Sequence, residues 1–95
     1  MYTRMNNNKI NIIFEDFDKN HVIVFLEKNG KDMSFIFAIY EFLNEMEYWD
    51  LPTKLESHNG KLGFVFAKNI DRTILELEIK CFIKQYDLDN KDASF

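Results

Sequence analysis

Three groups of residues have the side-chain types that chemistry requires. Glu15, Asp16 and Asp18 stand close to His21, a set of carboxylates and an imidazole from which a divalent-cation site can be built. In an extended segment, however, successive side chains point to opposite faces, so Glu15 and Asp16 diverge, and no metal-ligand spacing surrounds them. The run Asp87-Leu88-Asp89-Asn90-Lys91-Asp92 opens like a calcium loop. Lys91 and Asp92 then occupy the places where such a loop needs an acidic or amide ligand and a glycine. Cys81 is the one thiol, with His21 or His58 as its only imidazole partners. It alternates with Leu75, Leu77, Ile79 and Ile83, and a thiol buried among such neighbours, with no cation beside it, is inert. Three glycines leave no phosphate-cradling loop, and no serine stands in a nucleophile-elbow context. The expectation is a protein that is not an enzyme and uses no cofactor and no metal.

What remains is binding, and there the charge is informative. The net charge of −4 arises entirely in residues 29–58. That stretch sets Lys31 and Lys54 against Asp32, Glu41, Glu45, Glu47, Asp50 and Glu56, whereas residues 1–28 and 59–95 are each balanced. A field of one sign repels phosphate backbones and attracts basic surfaces. The basic residues of the last third (Lys61, Lys68, Arg72, Lys80, Lys84, Lys91) are interleaved with equal acid, which ranks direct nucleic-acid binding third.

The acidic residues fall in the longest apolar-rich stretch, Ser34–Trp49. Ile36, Ile39, Leu43 and Met46 recur every three or four residues, with Phe35 and Phe42 beside them, which predicts a helix. Asp32 or Ser34 can cap its start, and Pro52 stops it. The rival is a strand over Met33–Tyr40 entered through the Asn29-Gly30 turn. Nothing strand-like continues through Glu41–Trp49, so the helix is preferred. At about 100° per residue, Phe37, Glu41, Asn44, Glu45 and Tyr48 share the side opposite the apolar face. Together with Glu47, Trp49 and Asp50 they form the candidate partner-binding surface: carboxylates to meet Arg and Lys, aromatics to anchor.

Around this helix the pattern predicts strands. Lys9–Phe17 places Ile10, Ile12 and Phe14 on one face, and His21–Lys28 is rich in β-branched residues; Asp18-Lys19-Asn20 makes the turn between them. Thr53–Ser57 and Lys61–Lys68 flank a second hairpin turn at Asn59-Gly60. Gly63 within the latter strand signals a bulge or a close backbone approach. Thr73–Lys84 fits both periods. Five alternations favour a strand; a helix would bury Leu75, Ile79, Phe82 and Tyr86, with a Thr73–Glu76 capping box, and leave Ile74, Leu77 and Cys81 on a second side.

The expected fold is α+β, an antiparallel sheet of about five strands packed on one main helix, in the order ββαβββ with ββαββα as the alternative. Ninety-five residues with 46% apolar content can close one core, so residues 1–95 form a single small domain. Residues 1–8 and 88–95 are expected to be flexible. A lone cysteine, no membrane-length apolar run and no hydrophobic leader point to the cytoplasm. The expected function is a non-enzymatic protein-binding module: an inhibitor that occludes a basic partner such as a nuclease or a nucleic-acid-binding protein. Toxin-neutralising immunity proteins, antitoxins and phage or mobile-element inhibitors share that physical type. A self-associating structural subunit, a homo-oligomer, is the alternative, and no membrane is involved.

Overall fold

The computed structural model describes residues 9–43 and 54–91. Within them the chain is α+β, with a five-stranded antiparallel sheet. Strands β1 (Asn11–Asp18) and β2 (His21–Lys28) form the first hairpin, closed where Asp18 Oδ1 accepts the Asn20 amide at 2.8 Å. The register shifts between Asp16 and Asp18, a bulge at the end of the edge strand. Asn29 and Gly30 then take φ of 54° and 80°, the double left-handed conformation of a two-residue hairpin turn. They fold a two-residue strand, β3 (Lys31–Asp32), back onto β2.

The helix reading of the next stretch holds, and no residue of Met33–Tyr40 is strand. The Asn-Gly turn does make a hairpin, but its returning strand lasts two residues before helix α1 (Ser34–Leu43) begins. Asp32 ends the strand and starts the helix. Its Oδ1 accepts the Ser34 amide at 3.0 Å, and its Oδ2 accepts the Leu62 amide at 2.9 Å. The fully buried Ser34 hydroxyl donates to the Leu62 carbonyl at 2.6 Å. One carboxylate and one hydroxyl therefore tie the start of α1 to strand β5 and satisfy backbone groups where the pairing of β2 with β5 has stopped.

The second half repeats the plan. Strands β4 (Lys54–His58) and β5 (Lys61–Ala67) meet through Asn59-Gly60, again at φ of 55° and 81°, and helix α2 (Arg72–Gln85) follows. The strand order is β1-β2-β5-β4, with β3 paired to β2 off that path. Two ββα units thus join through β2 and β5, and the similar tripeptides Asp32-Met33-Ser34 and Asp71-Arg72-Thr73 fall at the two helix starts.

Thr73–Lys84 is helical, which replaces the preferred order ββαβββ with ββαββα; the fifth strand is β3. Asp71 caps the helix by accepting the Thr73 and Ile74 amides, so the cap lies two residues before the expected Thr73–Glu76 box. Leu75, Ile79, Phe82 and Ile83 are buried at helical spacing. Glu76 and Lys80, which read as the wet side of a strand, instead form an i,i+4 ion pair at 2.9 Å along the helix. The tail expected to fray from residue 88 is docked through residue 91. Leu88 is buried in a 3₁₀ turn, Asp89 Oδ1 accepts the Ile10 amide at 2.8 Å, and Lys28 Nζ donates to the carbonyls of Asp89 and Lys91. Of the segments expected to be flexible, 1–8 and 88–95, residues 1–8 and 92–95 lie outside the described residues.

The main core lies between the sheet and both helices: Val22, Val24, Leu26, Phe64 and Phe66 from the central strands, Ile36 and Phe37 from α1, and Leu75, Ile79 and Phe82 from α2. Phe64 and Phe66 are therefore core residues. On the opposite sheet face a smaller cluster holds Ile23, Phe25 and Val65, with Ile13 and Phe17 against it. His58 meets Phe17 edge-on at 5.5 Å and stacks on Phe25 at 6.3 Å. Gly63 is the close approach anticipated: a Cβ there would lie 2.5 Å from Ile23 Cγ1.

Candidate partner-binding surface

Phe37 leaves the expected surface. It is 2% exposed, its ring 4.6 Å from those of both Phe64 and Phe82. A wheel of α1 against the sheet alone turns Phe37 outward. With a second helix beside it, α1 has two apolar neighbours, the sheet below and α2 at its flank, and Phe37 fills the corner between them. Phe82, Tyr86 and Tyr40 continue this aromatic contact, with Tyr40 and Tyr86 stacked at 4.8 Å. Phe35, assigned to the inner face, is 42% exposed.

The backbone places Glu41 in the last turn of α1, with its side chain outside the described residues. Asn44, Glu45, Glu47, Tyr48, Trp49 and Asp50 also lie outside them. In the sequence, the rest of the acidic segment follows α1. The two other acids of residues 29–58 are already engaged: Asp32 holds the helix to β5, and Glu56 lies 3.3 Å from Lys54 on β4.

The residues weighed for catalysis and metal binding are dispersed. Asp16 reaches Lys68 at 3.4 Å and Arg72 at 3.8 Å across the sheet, whereas Asp18 bonds His21 Nδ1 at 2.9 Å within its own turn. That bond, helped by the Asn20 amide, holds the Asp18 carboxyl below its ordinary pKa. Lys61 is pushed up, chiefly by its hydrogen bond to Glu27. Asp89 binds the Ile10 amide, and Asp87, in the left-handed region, accepts the Asn90 side-chain amide at 2.7 Å. Among the described residues no group of three or more His, Cys, Asp or Glu is placed to hold a metal ion. No described helix is long and apolar enough to cross a membrane.

Cys81 is exposed, which corrects its expected burial. In a helix it leaves Leu75 and Ile79 and joins Ile74 and Leu77 on the outer side of α2, where those two are 55% and 60% exposed. This apolar stripe is the surface feature that a strand reading hides. Its signal was the helical wheel of Thr73–Lys84, which strands those three side chains on a second side. No protein-family model matches the chain, and neither the curated proteins nor the solved structures contain a significant match.

Proposed function

We propose that this chain is a non-enzymatic protein-binding module that occludes a basic surface of a partner protein in the cytoplasm. The physical type is that of a toxin-neutralising immunity protein or a phage or mobile-element inhibitor, acting on a nuclease or a nucleic-acid-binding protein. The observation that carries the reading is the distribution of acid. With Asp32 bonded into the fold and Glu56 beside Lys54, the remaining acids of residues 29–58 (Glu41, Glu45, Glu47 and Asp50) fall in ten consecutive residues without a basic side chain. Tyr48 and Trp49 in the same segment supply aromatic anchors, and Phe37 no longer belongs to the set. Carboxylates of this kind speed encounter and select basic partners, while desolvated aromatics slow release.

The test is a paired capture from the native source, with the wild-type chain and the triple variant Glu41→Gln, Glu45→Gln and Glu47→Gln as baits. A basic protein retained by the wild type, released by salt and lost by the variant supports the reading. Identical retention by both baits overturns it. Self-association is the second reading, favoured by the exposed Ile74 and Leu77 of α2. Light scattering on the purified chain separates the two, because an inhibitor can be a monomer and a structural subunit cannot.

A further inference from the structure

We draw no further inference here: the strongest candidate, the outward Ile74, Leu77 and Cys81 stripe of α2, is flanked by Glu76, Glu78, Lys80 and Lys84 of cancelling charge, and nothing in the structure shows what covers it.

Discussion

Replacing Gly63 by alanine adds a single methyl group where the sheet has no room for one. The new Cβ would stand 2.5 Å from Ile23 Cγ1, 2.8 Å from Ile23 Cδ1 and 3.0 Å from Phe25 Cδ1. Contacts below 3 Å require displacement, and Ile23 is wholly buried beneath its neighbours on that face, with Phe17 and Phe25 in its cluster and His58 packed on both rings. Cγ1 is the inner carbon of the isoleucine, so a turn of the terminal methyl alone does not relieve the clash. Overpacking of this kind costs about 1–3 kcal/mol. Alanine recovers roughly 0.5–1 kcal/mol of the backbone entropy that glycine loses in a strand. At the middle of both ranges the net expectation is a loss of about 1 kcal/mol, which for a chain of this length lowers the melting temperature by roughly 4–8 °C. Urea denaturation of Gly63→Ala, Ile23→Ala and the double variant measures it. Ile23→Ala alone is expected to cost about 2–5 kcal/mol, and the double variant to cost less than the sum of the two, because the removal of Ile23 Cγ1 and Cδ1 makes room for the new methyl. Strict additivity, or a Gly63→Ala protein as stable as the wild type, would refute the close-packing argument.

The helical assignment of Arg72–Gln85 predicts opposite outcomes at neighbouring positions that a strand would treat alike. Leu77→Ser should change stability by no more than about 0.5 kcal/mol, whereas Ile79→Ala should cost about 2–5 kcal/mol in the same denaturation assay. Cys81, on the outer side of that helix, should react with a thiol reagent in the folded protein nearly as fast as after denaturation; strong native protection contradicts its placement. Asp18 sets a pH dependence of known sign. Its carboxyl is held low in the folded state, so its contribution is fully present above the ordinary carboxylate pKa and fades as the pH falls through the folded value. The stability difference between wild type and Asp18→Asn should therefore be constant near neutrality and shrink below about pH 4; a difference that grows on acidification reverses the sign and the argument.

The first hairpin, both Asn-Gly turns and the start of α1 were legible because each rests on local chemistry. Asn at positive φ before Gly needs no tertiary partner to be recognised, and neither does an aspartate two residues ahead of a helix. Thr73–Lys84 reads as a strand because Glu76, Glu78 and Lys80 alternate with apolar residues by the same spacing that a strand uses. The deciding facts were non-local: a helix here buries Leu75, Ile79 and Phe82 against a sheet already built by other segments. The signal available in the sequence was Glu76 four residues before Lys80, together with an aspartate cap at Asp71. Two further differences follow from the strand reading: without α2 as a neighbour Phe37 reads as outward, and in a strand Cys81 reads as inward. The docked tail was illegible for a different reason. Leu88 is a lone apolar residue in a polar run, and its burial depends on Lys28 and Ile10 meeting Asp89 from more than sixty residues away. The acidic segment itself was legible as composition, since a ten-residue run free of basic side chains needs no fold to be noticed.

The most direct measurement on the proposed function is the association rate of the wild-type chain with the basic protein it captures, taken over a range of salt and repeated with the triple variant at Glu41, Glu45 and Glu47. A carboxylate that steers an encounter stands in solvent and contributes about 0–1 kcal/mol per pair to folding, so on the proposed reading the variant should melt within a few degrees of the wild type. If the acidic segment steers the encounter, the wild-type rate falls steeply as salt rises, and the variant associates more slowly with a flatter salt dependence. Equal rates and equal salt slopes in the two proteins would contradict the account and leave the acidic segment as a solubility feature only.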